Sequence, residues 1–394
     1  MRHERTSHDA VVSLPEPGTL RIGPAPHGQG RPGLVPITVT FTVAAGLAAA
    51  AGVVLFGWHA VRVLAISVSV ALLVESLFNA MKGRSPSWSE SHALLIGLLF
   101  ACTLPPTVSW RVVVAGSFIT VIVGEALSGG VGNYLWHPVA LGRVAVQMLF
   151  HRELSPEHWP VLGPGHLVWG NLGRAAEMPR PGGRSSHPLP QDAEAWLVSR
   201  TDDLLRTALP TAPGAPADGL TAFVRDLAPS WWDTISGAAG GGVGEACVAA
   251  LLVAAGLLIW RGFLRWPMAA TAIVVAGAAA AVLPARVQTP DGMVASCTVP
   301  GLALRDGLPV GIAYVLYHLT AGGLPLVGLL LAPDPSSSPL TSRGHLMFGA
   351  IIGLLTILLR VEAGLPAAAY WALLAANTLV PTINRLTRRR VFGT

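Results

Sequence analysis

The sequence predicts an all-α integral membrane protein of about ten transmembrane helices, with one long extramembrane insertion between the fifth and sixth. Three observations predict it. Apolar runs near the length that a ~30 Å hydrocarbon core asks of a helix recur along the chain. Hydrophobic residues make up 52% of the 394 residues and charged ones 12%, about half the usual charged share of a soluble domain. The basic residues also gather at the ends of apolar runs rather than spreading over them.

The candidate spans follow in order. Pro36–Phe56 and His59–Met81 are continuous apolar runs of full crossing length, the second closed by Lys82 and Arg84. Ser91–Leu104 is shorter and is stopped by Pro105-Pro106. Arg111–Leu127 comes next, then Val139–Phe150, which Pro138 introduces. The third and fifth are short for full crossings, which predicts tilted, broken or partly re-entrant segments, because proline removes a backbone donor that lipid cannot replace. After the insertion come Val243–Trp260, Trp266–Leu283, Leu308–Leu331, His345–Arg360 and Ala367–Thr382.

The domain organisation is therefore a flexible cytoplasmic tail (residues 1–35), a first transmembrane half (36–150), an extracytoplasmic insertion (151–242), a second transmembrane half (243–384) and a basic cytoplasmic C-terminus (385–394). The tail is polar and has no apolar core behind a basic start, so it does not read as a cleaved signal peptide. Placing it inside collects Arg2, Arg5, Arg21, Arg31, Lys82, Arg84, Arg261, Arg265, Arg343 and the Arg385–Arg390 cluster on the cytoplasmic face. That is the bias expected of inner-membrane loops, with both termini cytoplasmic. Two sets of five spans around one insertion would have opposite orientations, as in transport folds built from inverted repeats. The side chains show no plain repeat; Asn133…Pro138 and Asp334-Pro335…Pro339 are the corresponding breaks.

Composition also excludes. One lysine and no basic stripe speak against nucleic acid. Cys102, Cys247 and Cys297 lie in or beside apolar runs without a CxxC pair, and read as small buried hydrophobes rather than metal ligands. No nucleophile–base spacing or HExxH points to hydrolysis.

Several residues remain as candidates for function. Ionisable groups inside a membrane are costly and are functional candidates by default. Glu75 falls in the second span, Glu125 late in the fourth and Glu245 at the start of the sixth. Glu75 and Glu125 are the deeper pair and the better candidates for a cation or proton path; Glu245 also suits a helix N-terminus, where a carboxylate offsets the macrodipole. His318 reads as a hydrogen-bonded packing residue. Gly129, Gly130 and Gly132, like Gly241 and Gly244, lead into apolar runs. Such glycines either present amides to an anionic group or let helices pack closely. Asp334, Pro335 and Thr341 stand in the loop 332–344, whose three prolines cannot continue a helix. Its backbone groups need partners from protein.

Five stretches carry a family resemblance. They are Gly97-Leu-Leu-Phe-Ala-Cys-Thr-Leu-Pro-Pro106; Gly129-Gly-Val-Gly-Asn-Tyr-Leu-Trp-His-Pro138 with Gly142-Arg143; Trp232-Asp233 with Gly237, Gly241 and Gly244-Glu245; Asp334-Pro335…Pro339…Thr341…Gly344…Gly349…Gly353; and Arg360, Asn377…Pro381 with the ending Arg390-Val-Phe-Gly393. In this order they resemble the RnfD component of the Rnf electron-transport complex, and its relative, the B subunit of the sodium-pumping NADH:quinone reductase.

The resemblance implies a membrane protein that works with other Rnf-type subunits, relays electrons through FMN and couples redox chemistry to Na⁺ or H⁺ movement. In that family the insertion carries "D-x-x-S-G-A-T-P", whose threonine takes FMN through a phosphodiester. The ungapped counterpart here is Asp203-Leu-Leu-Arg-Thr-Ala-Leu-Pro210, with Leu209 at the threonine position. Leucine has no hydroxyl, so covalent attachment is not expected there; Thr207 or Thr211 would serve only after a slip of register. The tryptophans of the insertion, Trp159, Trp169, Trp196, Trp231 and Trp232, read first as interfacial anchors and second as flavin contacts. A stand-alone secondary transporter or permease is the alternative, suited by the broken spans and glycine loops.

Overall fold

The computed structural model describes residues 34–83, 92–128, 132–154, 231–237, 241–283, 285–288, 294–297, 304–305 and 308–388. The first half holds α1 (Leu34–Phe56), α2 (Trp58–Met81), α3 (His92–Cys102), α4 (Trp110–Ile119, continued as a π-helix over Thr120–Ala126) and α5 (Pro138–Leu149). A short α6 (Trp231–Ser236) precedes the second half. That half holds α7 (Val248–Trp260), α8 (Trp266–Val282), α9 (Val310–Thr320), α10 (Leu324–Leu326, continued as a π-helix over Val327–Leu331), α11 (Ser342–Val361) and α12 (Ala368–Leu386).

The protein is an all-α integral membrane protein. Its described β structure is two antiparallel ribbons between α8 and α9: β1 (Ala285–Gln288) with β2 (Val294–Cys297), and β3 (Leu304–Arg305) with β4 (Leu308–Pro309). Among the described residues three helices, Val35–Phe56, Trp58–Met81 and Ser342–Val361, are long and apolar enough to cross a bilayer by themselves. The bent pair Gly311–Thr320 and Leu324–Leu331 makes a fourth if counted as one span, and five shorter apolar helices complete the set.

Three expectations need correction. The run Leu308–Leu331 is not one straight span. It starts in β4, and α9 and α10 meet at a 58° bend, because Gly322, Gly323 and Pro325 interrupt it and Gly322 takes a positive φ of 75°. The sixth span begins at Val248, not Val243: residues 241–247 form a turn before α7. The fourth changes to π-helical geometry at Thr120, and the widened turn sits on the start of α5, where a Cβ at Gly124 would meet Pro138.

The two halves share one pattern of neighbours. In the first, α2 packs on α3 and α4, α1 on α3, and α4 on α5; in the second, α8 packs on α9 and α11, α7 on α10, and α11 on α12. Across the middle α1 meets α7 and α5 meets α12. A short sequence echo marks the same step in each half: Gly97-Leu-Leu-Phe-Ala101 closes α3, and Gly328-Leu-Leu-Leu-Ala332 closes α10. Each string leads into a proline-containing loop, and a helix follows with Ser109 or Thr341 at its N-cap. Thr341 Oγ1 accepts from Gly344 N at 3.0 Å, which satisfies one of the orphan donors of the first turn.

Candidate functional site

Broken helices leave carbonyls with no partner in the next turn, and inside a membrane water is not there to take them. Two buried arginines do this work. From α5, Arg143 donates through Nε to the Thr103 carbonyl just past the end of α3, at 3.1 Å, and through Nη1 to Gln147 Oε1 at 2.8 Å. From α11, Arg360 donates to the carbonyls of His318 at 2.6 Å and Ala321 at 3.3 Å, at the end of α9. A guanidinium has five donors in a fixed fork, which is why arginine suits a pair of carbonyls.

Between these arginines lies Glu245, only 5% exposed. Its Oε1 accepts a hydrogen bond from the Tyr370 hydroxyl of α12, and both Arg143 and Arg360 act on it electrostatically. The Arg143 guanidinium also stands 5.8 Å from the centroid of the Tyr370 ring. A Cβ at Gly323 would come within 2.9 Å of Glu245 Oε1, so the bend between α9 and α10 closes over the carboxylate. Glu245 thus does not cap α7. Its turn points it inward, and it is a deeper carboxylate than the half-buried Glu75 of α2. Glu125 lies in the π-helical turn Thr120–Ala126.

The glycine turn carrying Glu245 is held by its own backbone. The amides of Val243 and Gly244 donate to the carbonyls of Leu104 at 2.9 Å and Cys102 at 2.8 Å. A side chain at Gly244 would run into Cys102, and one at Gly52 of α1 into Val243. Gly241 has a φ of 146°. With those two amides engaged, the turn at Val243 and Gly244 serves backbone packing. Gly129, Gly130, Asp203, Thr207, Leu209 and Thr211 lie outside the described residues.

A second polar cluster joins the two breaks that the sequence paired. Tyr134 donates to Asp334 Oδ2 at 2.9 Å and Ser337 Oγ to the same oxygen at 3.1 Å. With its amide assigned the orientation that satisfies both its atoms, Asn377 of α12 donates to the Ser337 carbonyl at 3.2 Å and accepts from the His137 amide at 2.9 Å. The loop 132–137 of one half and the loop 332–341 of the other are thereby tied together over α12. Gly132 (φ 91°) and Asn133 are exposed beside this contact, Pro138 is buried at the first turn of α5, Pro335 is exposed, and Thr341 is half-buried at the cap of α11. His318 is fully buried between the rings of Tyr314 and Tyr317, at centroid distances of 4.5 and 5.5 Å. Neither of its ring nitrogens has a hydrogen-bond partner among the described residues.

Chemically, Glu245 with Tyr370 can hold or pass a proton. Two flanking guanidiniums oppose a bare cation there, whereas Asp334 has hydroxyl partners and no cation bonded to it among the described residues. Sequence reasoning missed Arg143, Tyr370, Tyr134 and Asn377 as site residues. The signal available was the pair of polar residues on an otherwise apolar buried face in each of α5 (Arg143, Gln147) and α12 (Tyr370, Asn377); Tyr134, in the loop before α5, carried none.

The family model described as "NQR2, RnfD, RnfE family" matches residues 21–393. The chain belongs to this family. Among curated relatives it is similar to the RnfD-type component of the ion-translocating oxidoreductase complex of Stutzerimonas stutzeri, 29% identical over 362 residues, covering 87% of each chain. The same component from Halorhodospira halophila is 28% identical over 374 residues, covering 93% of this chain and 94% of the relative. That of Yersinia pestis is 26% identical over 345 residues, covering 86% and 88%. The family match embraces every residue of both polar clusters, so Arg143, Glu245, Asp334, Arg360 and Tyr370 all fall within it.

Proposed function

We propose that this chain is a membrane subunit of an ion-translocating electron-transport complex of the Rnf type, seated in the inner membrane with both termini cytoplasmic. The family match across residues 21–393 carries the reading. The paired breaks support it, because irregular backbone at membrane depth is expected only where protein or a polar pathway satisfies it. Other subunits of the complex supply the redox partners, and Na⁺ or H⁺ is the coupled ion. Co-purification tests the assignment: the tagged chain is expected to bring down flavoprotein and iron–sulfur partners. Solute transport by the pure chain alone in liposomes would instead establish the permease reading, which the repeated neighbour pattern of the halves favours. A reporter fused at His187 is expected outside and one at the C-terminus inside; the reverse result would overturn the orientation.

Asp334 belongs to the translocation pathway in this reading. Asp334→Ala removes the acceptor shared by Tyr134 and Ser337 and is expected to cost about 1–3 kcal/mol of stability. The complex still assembles, but ion-coupled electron transfer falls at least about tenfold, equivalent to ~1.4 kcal/mol in the barrier. Full coupled activity in reconstituted vesicles would remove Asp334 from the pathway.

FMN is the cofactor that the family brings, and electron relay through it is part of the proposal. When bound, a flavin accepts or donates one or two electrons. Leu209 argues against a phosphoester at that position. Intact mass measurement of the chain purified with its complex is expected to show no covalent flavin, and Leu209→Thr to gain one when the transferase is present. An adduct on the unaltered chain that Thr207→Val or Thr211→Val removes would move the acceptor to that threonine.

A further inference from the structure

Away from the buried clusters, a cavity of about 650 Å³ opens where the N-terminal ends of α8 and α11 meet the C-terminal end of α12. Its size lies within the range of about 300–1,000 Å³ usual for small-ligand sites. Arg265, Arg385 and Arg388 line it, with Thr341, Ser342 and Asn384 as uncharged polar neighbours and Leu340 as the single apolar one. No lining residue is acidic. Three guanidiniums around one space repel each other unless an anion joins them. The field is reinforced by two helix starts. Arg265 is the N-cap of α8 and makes no side-chain cap there, and the first turn of α11 begins at Ser342 in the wall.

The cavity is preformed. Asn384 Oδ1 accepts from the Leu340 amide at 3.0 Å, and the hydroxyls of Thr341 and Thr387 lie 2.5 Å apart, so the start of α11 and the end of α12 are tied together. The surroundings are apolar. Leu340 is 77% exposed and Leu386 72%; Trp266, next to Arg265, is 63% exposed and Trp260 across the α7–α8 turn 80%. Exposed tryptophans beside arginines at helix ends mark the level of the lipid headgroups.

We propose that this cavity binds the phosphate of an anionic phospholipid, with the acyl chains lying along the exposed leucine and tryptophan side chains. The three arginines pair with the phosphodiester, the Ser342 hydroxyl and the Asn384 amide nitrogen suit a glycerol headgroup, and the flanking surface suits hydrocarbon. A free phosphate shares the guanidinium chemistry but has nothing to place on the apolar flank.

The test uses the full chain, purified in mild detergent and stripped of lipid. Binding is followed by native mass spectrometry and by the melting temperature on adding phosphatidylglycerol, phosphatidylcholine or inorganic phosphate. Phosphatidylglycerol is expected to bind at least about tenfold more tightly than phosphatidylcholine and to raise the melting temperature. Each arginine near a charged headgroup contributes about fivefold, so Arg265→Gln, Arg385→Gln and Arg388→Gln together weaken binding on the order of 100-fold. The same three positions changed to lysine keep the charge and retain most of the binding. Because all three side chains are exposed, melting in phosphatidylcholine alone is expected to match the parent for both variants. Equal binding of the two lipids would overturn the proposal, as would undiminished phosphatidylglycerol binding by the glutamine variant. So would a melting shift that inorganic phosphate reproduces at equal concentration, which would mark an ion site rather than a lipid site.

Discussion

Gly353→Leu is expected to abolish the folded protein, the largest effect of any single change considered. Gly349 and Gly353 lie one turn apart on α11 and face α8. A Cβ at Gly353 would run into the Ala272 carbonyl and come within 3.0 Å of Ala276 N; one at Gly349 would meet the Met268 carbonyl and the Thr271 hydroxyl. These obstacles are mostly backbone, so no rotamer change relieves them. Small residues at four-residue spacing let membrane helices approach to this degree, and packing is then what holds them, since lipid is as apolar as leucine. Alanine at Gly353 must push the helices apart by a small step and is expected to cost about 1–3 kcal/mol. Leucine forces the pair open along its length and is expected to cost more than ~3 kcal/mol. Thermal melting in detergent and resistance to protease check both; parent-like melting of Gly353→Leu would show that α8 and α11 do not meet through their backbones.

The second large effect is expected at Glu245. Glu245→Leu leaves Arg143 and Arg360 buried beside an apolar group, with the Tyr370 hydroxyl unpaired. Removing one partner from a buried charge cluster typically costs about 3–5 kcal/mol. Glu245→Gln retains an acceptor for Tyr370 and is expected to fold in good yield with a smaller loss. Combining Glu245→Leu with Arg143→Met removes an opposing charge along with the carboxylate and is expected to recover part of the loss, though Thr103 then loses its donor. Melting of the single and double variants forms a cycle that measures the coupling. Additive losses would mean that the two groups do not act on each other.

Much of the fold was legible in the order of residues. Apolar runs and the arginines at their ends located the helices, because lipid demands long apolar helices and places charges at their ends regardless of tertiary detail. Pro105-Pro106, Pro138 and the Asp334–Pro339 loop marked the breaks, because proline acts locally on the helix that contains it. The bend at Gly322-Gly323 was missed, since glycine inside an apolar run reads equally as packing. Glu245 was found as an ionisable candidate but ranked below Glu75 and Glu125, with a helix cap as its alternative, because its place next to an apolar run suggests a terminus and says nothing of what faces it.

The sequence by itself determined the class of protein, the family and the absence of a hydroxyl at Leu209, all of which depend on residue type or local order. Only the tertiary structure decided that Tyr134 meets Asp334 across 200 positions, that Tyr370 meets Glu245 across 125, and that Arg143 and Arg360 take the free carbonyls of broken helices. Those pairings depend on which faces of helices from different halves are brought together. Helical periodicity says that a side chain lies on a face; packing across the whole bundle says what stands opposite it.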